Sequence, residues 1–389
     1  MKPRAALLAL AVGAFGIGTT EFTPMGLLPV IAKGVGVSIP TAGMLITAYA
    51  VGVMIGAPVM TLLLSSLRKR TALMSLMAIF TVGNLLSAIA PNYTTLLLSR
   101  LVTSLNHGAF FGLGAVVAAN MVPKAKQASA VAAMFLGLTI ANIGGVPAAT
   151  WIGQQLGWRQ AFAGTAGLGV IAIIALRLAL PACERGTRPH LGRELKAILH
   201  PAVLLAMGTT VLGAGAMFTL YTYVAPVLTE LTGASNTFIA LSLSLIGVGF
   251  TLGNVIGGRM ADWSLDGATK VLLAALAVIM FVLPLAFTLH VTAAIGLLIW
   301  GAATFAVVPP LQMRVMQAAT DAPGLASSIN VGAFNLGNAL GAALGGSVIT
   351  LGLGYAAVPI AGGLLASAGL LLAWLGRKRS AATATPKQT

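Results

Sequence analysis

Seven carboxylates occur in the 389 residues, and one of them lies where a carboxylate is hard to keep. Glu184, Glu194, Glu230, Asp262, Asp266 and Asp321 fall in loops or at the ends of apolar runs, whereas Glu21 sits inside one, in GIGTTEFTPMG. Counted along a helix that starts near residue 5, it stands ~24 Å from the end carrying Lys2 and Arg4, at about 1.5 Å per residue. An ionised carboxylate at that depth is costly unless it is protonated, paired or wetted. Glu21 is therefore either a proton-carrying group or a permanent tie between helices.

A second polar set follows in SRLVTSLNHGAFFG, where Arg100, Ser104, His107 and Phe111 recur at the spacing of one helix face. Entered from the opposite end, this segment has Arg100 ~9 Å deep and His107 ~20 Å deep, which brings Arg100 near the level of Glu21. The expectation is that Arg100, as a counter-charge, or His107, by sharing the titration, modulates the protonation of Glu21. Plain structural roles stay open: an ion pair or carbonyl tie for Arg100, a hydrogen-bonded packing residue beside Gly108 for His107.

Further along, amides and aromatics interrupt the apolar runs. Asn142, Asn335 and Asn338, with Asn330, need partners inside a bundle. Phe110, Phe111, Tyr221, Tyr223 and Trp300, with Gln312, are candidates to line a cavity that stacks and hydrogen-bonds a polar or amphipathic solute, or else to fill a core. In GLTIANIGGVPAATWIGQQLGW, Gly144, Gly145, Ala148 and Ala149 permit close packing, and Pro147 removes a backbone donor, so that helix can bend or seal against a partner. Pro309 and Pro310 mark another break. The single cysteine, Cys183, excludes an internal disulfide. No metal spacing, Walker loop or nucleophilic triad is present. No enzyme and no cofactor are expected, and the energy source would be an ion gradient.

The elements that position these residues follow from composition. With 58% hydrophobic and 7% charged residues and a mean hydropathy of +0.97, the chain is a membrane protein. Apolar runs give twelve spans, at about 5–31, 41–64, 71–90, 94–121, 128–150 and 161–181, then 202–229, 235–258, 269–289, 292–317, 323–350 and 354–376. The expected organisation is one six-helix bundle over 1–181, a linker over 182–200 with a short amphipathic helix, a second bundle over 201–376, and a tail over 377–389. Lys2 and Arg4 before an apolar run imitate a secretory signal, but the further spans favour an uncleaved first helix.

A formal charge of +15 and a pI near 10.8 would otherwise invite a nucleic-acid partner. The charge is explained by its distribution. With an even number of spans, nearly all of the 22 lysines and arginines fall on the side of the termini, the other side holding only Lys33 and Arg159. The positive-inside rule then makes both termini cytoplasmic.

The two halves also match at a shift of 197 residues. Gly16, Gly18 and Pro29 fall on Gly213, Gly215 and Pro226, and Gly52 and Gly56 on Gly249 and Gly253. At a shift of 196, Asn142 and Gly145 fall on Asn338 and Gly341. A near-constant offset over three helix pairs is the mark of a duplicated bundle, expected to face its copy across a pseudo-twofold axis with an alternately opening cavity at the midplane.

The segments GTTEFTPMGLLPVIA, SRLVTSLNHGAFFG and LTIANIGGVPAATWIG resemble the major facilitator superfamily. Within it they resemble the drug/proton and sugar-efflux antiporters of the arabinose-efflux-permease-like branch. The resemblance covers nearly the whole chain and implies the fold of two pseudo-symmetric six-helix bundles. It matches the family's fourth-helix arginine to Arg100 and its antiporter motif to the stretch around Gly145 and Pro147, which implies export. The family's loop signature between helices two and three reads SSLRKR here, with Ser65 where the acid belongs, while GGRMADWS in the second half keeps Gly258, Arg259 and Asp262. The implied cytoplasmic latch is thus lopsided.

Together these readings lead to the expectation of a monomeric, multi-pass transporter of a bacterial-type inner membrane that exports a sugar, nucleoside or amphipathic drug in exchange for protons. An uncoupled facilitator and a non-transporting membrane sensor remain alternatives.

Overall fold

The structure, a computed structural model, describes residues 3–37, 39–181 and 191–383. Every regular element among them is helical. The first half contains α1 (Pro3–Val35), α2 (Ile39–Leu63), α3 (Lys69–Ala88), α4 (Tyr93–Ser104), α5 (His107–Asn120), α6 (Gln127–Ile140), α7 (Val146–Gln155) and α8 (Trp158–Ala179). After the short α9 (Leu191–Ile198) come α10 (Pro201–Tyr221), α11 (Val224–Thr232), α12 (Asn236–Trp263), α13 (Leu265–Ala286) and α14 (His290–Ala306). The chain ends with α15 (Val308–Ala318), α16 (Pro323–Thr350) and α17 (Ala357–Thr383).

Eleven stretches, counting each broken helix as one, are long and apolar enough to cross a membrane. The twelfth expected span is α16, long enough at 28 residues but diluted by Ser327, Ser328, Asn330, Asn335 and Asn338. By contact the chain divides into two compact units, Met1–Leu191 with Ser327–Gly332, and Gly192–Ala326 with Ala333–Thr389. Of the expected linker, 182–190, including Cys183, lie outside the described residues, as do 384–389 of the tail.

Four spans are interrupted, two of them where proline foretells it. Pro147 follows a π-helical turn, Ala141–Gly145, in which the Val146 amide reaches back five residues to Ala141. This wider turn absorbs the donor that proline lacks. Pro309 and Pro310 open α15 directly after the turn at Val307, the first turn being where a missing N–H costs nothing. The other two breaks, at Leu105–Asn106 and Thr222–Tyr223, contain no proline. In the fourth span the amides of Leu105 and Asn106 bond three residues back, to Val102 and Thr103, at 3.3 and 3.4 Å. The Asn106 side-chain amide also donates to the Thr103 carbonyl at 2.7 Å, so a side chain competes for the backbone acceptor there.

Small residues set the helix packing in each unit. In the first, a Cβ on Gly52 would meet Leu101 and Ser104, and one on Gly56 would meet Leu105. In the second, Gly249 lies against Leu298 and Gly301, and Gly253 against Ala302. The two sets of contacts are related by the same 197-residue shift seen in the sequence. A second seam joins α1 to the fifth span: Gly137 meets Ala11, Gly18 meets Leu138 and Ala141, Gly145 meets Phe15 and Thr19, and Gly153 meets Leu27. Gly145 and Ala149 are buried here, whereas Gly144 faces open space and Ala148 is exposed.

Several boundaries differ from expectation, α17 running to Thr383 into the expected tail and α13 starting at Leu265, and the one that moves candidate residues is at the eighth span. The eighth span continues to Trp263, so Arg259 and Asp262 belong to its last turns and not to a loop. Ser264 alone separates α12 from α13; it is the C-cap of one and the N-cap of the other, its side chain accepting the Gly267 amide at 3.2 Å. A single capping serine satisfies both helix ends, which removes the need for a longer loop.

Candidate functional site

Six helices of the first unit bring polar or aromatic side chains to one cluster: α1 with Thr20 and Glu21, α2 with Tyr49, α3 with Asn84, α4 with Arg100, α5 with His107 and α8 with Phe162. The hydroxyl and amide members are cheap to carry in an apolar helix because each has a hydrogen-bond partner, within its own helix or across to a neighbour. The Asn84 amide donates to the Phe80 carbonyl at 2.9 Å, one turn back. Its carbonyl oxygen accepts the Thr20 hydroxyl at 2.5 Å.

Arg100 is the exception. Its side chain is 1% exposed, and one guanidinium nitrogen, Nη1, donates to Thr20 Oγ1 at 3.3 Å. Nε and Nη2 are buried without a hydrogen-bond partner. The cation rests on aromatic faces instead, Cζ lying 4.3 Å from the centroid of the Tyr49 ring and 5.8 Å from that of Phe162. A ring quadrupole holds a cation without satisfying its donors. Glu21, half-buried on the next residue after Thr20, interacts with Arg100 through space. No contact ion pair joins the two groups.

Tyr49 links this cation to the histidine. Its hydroxyl lies 3.1 Å from His107 Nδ1, and the two rings meet edge to face with centroids 5.8 Å apart. His107 in turn contacts Phe111 at 5.1 Å, and Phe111 stacks on Phe135 at 5.0 Å. Chemically the cluster contains a group able to take and release a proton, a cation with spare donors beside it, and an aromatic support for that cation.

Of the residues singled out in the sequence, Arg100 and His107 thus both contact Tyr49, and Glu21 follows Thr20, the hydroxyl to which Arg100 donates. Phe110 and Phe111 are fully buried, in edge-to-face contact at 6.1 Å, and Phe110 packs on Gly13. Asn142 is half-buried and donates to the Leu138 carbonyl at 3.1 Å.

In the second unit Tyr221 is half-buried between Phe250 and Trp300, at 5.7 and 6.4 Å. Trp300 and Gln312 are fully buried, and the Trp300 indole N–H has no partner. Tyr223 donates to the Ala342 carbonyl at 3.0 Å, which ties α10–α11 to α16. Asn335 is buried and Asn338 half-buried; Arg259 is exposed and Asp262 half-buried.

Sequence reasoning passed over Thr20, Tyr49 and Asn84. The one available signal was the phenol in the middle of LITAYAVGV, since a hydroxyl at that depth needs a partner.

A sequence profile of the Major Facilitator Superfamily matches residues 10–342. The chain is similar to the inner membrane transport protein YdhP of Escherichia coli (strain K12), with 63% identity over 98% of each chain. It is 33% identical to a chloramphenicol resistance protein of Streptomyces lividans, over 95% of each chain. Among solved structures it resembles the proton:xylose symporter XylE bound to 6-bromo-6-deoxy-D-glucose, with a TM-score of 0.78 over 96% of this chain and 95% of that one at 15% identity. Eleven apolar stretches long enough to cross a membrane, a duplicated glycine packing pattern and a full-length match lead to one assignment: the chain belongs to the major facilitator superfamily of membrane transporters.

Proposed function

We propose that this protein exports a small solute in exchange for protons by alternating access, with Glu21 as the proton carrier. The observation that carries this reading is the half-buried carboxylate in mid-span beside a buried guanidinium with two unpartnered donors. A purely structural pair would close. An open pair can take different arrangements as the proton comes and goes, and a ligand-dependent preference between two states is what coupling requires. Arg100 and His107 act on Glu21, directly and through Tyr49.

The substrate is a sugar, a nucleoside or an amphipathic drug; the chloramphenicol resistance relative favours the last of these. Tyr221, Tyr223, Asn142 and Asn338, the half-buried members of the candidate set, are its contacts. Gly145 and Pro147, at the π-helical turn, bend the fifth span as a gate, and Arg259 and Asp262 belong to a cytoplasmic latch. The protein works as a monomer in the inner membrane with both termini cytoplasmic, on the charge bias of its loops, and needs no cofactor beyond the proton gradient.

The test is proton flux from proteoliposomes under an imposed pH gradient, screened over monosaccharides, nucleosides and chloramphenicol, with Glu21→Gln alongside. A solute-dependent proton leak in the wild type, absent from a folded Glu21→Gln, is the expected result. Undiminished pH-driven transport in the variant would remove Glu21 from the mechanism, and solute flux without proton movement in the wild type would leave a facilitator.

A further inference from the structure

Tyr49 contacts both Arg100 and His107, and what it does to the pairing of Arg100 with Glu21 has still to be assigned. Its ring face carries the Arg100 guanidinium at 4.3 Å, and its hydroxyl is held 3.1 Å from His107 Nδ1. The guanidinium meets only a hydroxyl, Thr20, among hydrogen-bonding groups, leaving Nε and Nη2 empty although the side chain is 1% exposed. Buried guanidinium donors are normally satisfied, and a carboxylate is their natural partner. Here a carboxylate, Glu21, is the next residue after the Thr20 that Arg100 bonds, and no ion pair joins it to the guanidinium. Something holds the cation away from it, and the aromatic face beneath Cζ is the group in position to do so.

We infer that Tyr49 is a positioning residue that seats the Arg100 side chain off Glu21, with His107 fixing the orientation of the seat. The inference rests on the reading of Glu21 as a proton carrier. The groups facing the cluster are Glu21 and Thr20 from α1, Asn84 from α3, Arg100 from α4, His107 from α5 and Phe162 from α8, so among the described residues Arg100 is the lysine or arginine placed to close on the carboxylate. With the seat occupied, Glu21 is free to hold a proton. With the seat vacated, the guanidinium pairs with the carboxylate, and an opposite charge in contact favours the ionised form by roughly ten- to a thousandfold. The seat therefore sets how readily Glu21 keeps its proton, although Tyr49 never touches it. A cation–π contact suits this role because it holds the arginine by about 1–2 kcal/mol, little enough to be released in each cycle.

The experiment is labelling of the purified full-length protein with dicyclohexylcarbodiimide, which reacts with protonated carboxyls in apolar surroundings, read at Glu21 by mass spectrometry. Wild type is expected to label fastest, and Tyr49→Phe, which keeps the ring but loses the bond to His107, to label between wild type and Tyr49→Leu. Tyr49→Leu is expected to label about tenfold more slowly or worse. The double variant Tyr49→Leu with Arg100→Gln is expected to recover, because the cation that closes on Glu21 is gone; recovery also excludes misfolding as the cause. Wild-type labelling in Tyr49→Leu would overturn the seat while leaving Glu21 as proton carrier. A loss that the double variant does not reverse would make Tyr49 a packing residue. No labelling of Glu21 in the wild type would remove the proton-carrier reading itself, and the seat with it.

Discussion

The two halves share a packing scheme and differ in what they bury. Shifted by 197 residues, Gly52 and Gly56 become Gly249 and Gly253 with equivalent contacts, yet every member of the polar cluster is lost. Glu21 becomes Phe218, Tyr49 becomes Ile246, Arg100 becomes Leu297 and His107 becomes Thr304; Thr20 and Asn84 become Met217 and Phe281. Ile246, Leu297 and Thr304 are buried in their turn. The fold therefore does not need the charges. A scaffold that closes well around leucine and isoleucine in one copy carries an unsatisfied arginine in the other, and a local conflict of that kind is where a functional site is expected.

Breaking the comparison at its centre gives the largest effect. Leu297→Arg puts a cation into the second bundle with no cluster to receive it, and is expected to cost more than about 3 kcal/mol or to prevent folding. Arg100→Leu runs the other way. It removes two unpartnered donors and leaves an aliphatic side chain against Tyr49 and Phe162, so thermal stability in detergent stays within about 1 kcal/mol of wild type or rises. Thermal melts of both variants decide the matter; a loss of several kcal/mol in Arg100→Leu would mean that the arginine holds the first bundle together.

The shared glycines sharpen the comparison with a smaller effect. A Cβ at Gly253 meets the Ala302 backbone, carbonyl oxygen first, whereas at Gly52 the first atom met is the Ser104 hydroxyl. Backbone cannot yield without moving a helix, and a hydroxyl can rotate. Gly253→Ala is expected to lose about 1–3 kcal/mol from overpacking, and Gly52→Ala to come out near neutral, since alanine gains about 1 kcal/mol of helix propensity to set against a rotamer change. Equal losses in the two melts would mean that Ser104 does not yield and that the two seams are equally rigid.

What the sequence disclosed and what it hid have one physical origin. Glu21 and Arg100 were legible because an ionised group in an apolar run has no ordinary explanation, and the duplication was legible because close helix approach admits little besides glycine. Thr20 and Asn84 were hidden, because a threonine or asparagine in a helix can bond one turn back, as Asn84 does, and in the sequence leaves no conflict to notice. Tyr49 was hidden because a phenol looks like packing until its neighbours are known. Breaks at Pro147 and Pro309 follow from a missing N–H. Those at Leu105–Asn106 and Thr222–Tyr223 follow from competition among bonds that all exist, and such balances are decided in three dimensions. The boundary of the eighth span was misjudged for a similar reason, since a charged stretch, Arg259 to Asp262, reads as loop while one serine is enough to cap both helices.

The smallest effect belongs to the difference at the charged ends. In the second unit Asp266 pairs with Lys270 at 2.6 Å and approaches Arg314 at 3.8 Å. Lys270 also lies 4.7 Å from the Trp374 ring, and Arg314 donates to the Ala373 carbonyl at 3.0 Å. The first unit has Lys69, Leu73 and Val117 at the corresponding positions, and Arg177 for Trp374. The network looks like a staple for α13, α15 and α17, but its acid is 45% exposed, and each cation has a second hold that survives the loss of the carboxylate. Asp266→Asn is therefore expected to lower stability by less than about 1 kcal/mol, with the difference shrinking further in high salt. A loss above about 2 kcal/mol that persists in salt would show that the second bundle depends on a buried charge after all, and the contrast between one bundle built for packing and one built for charge would fail.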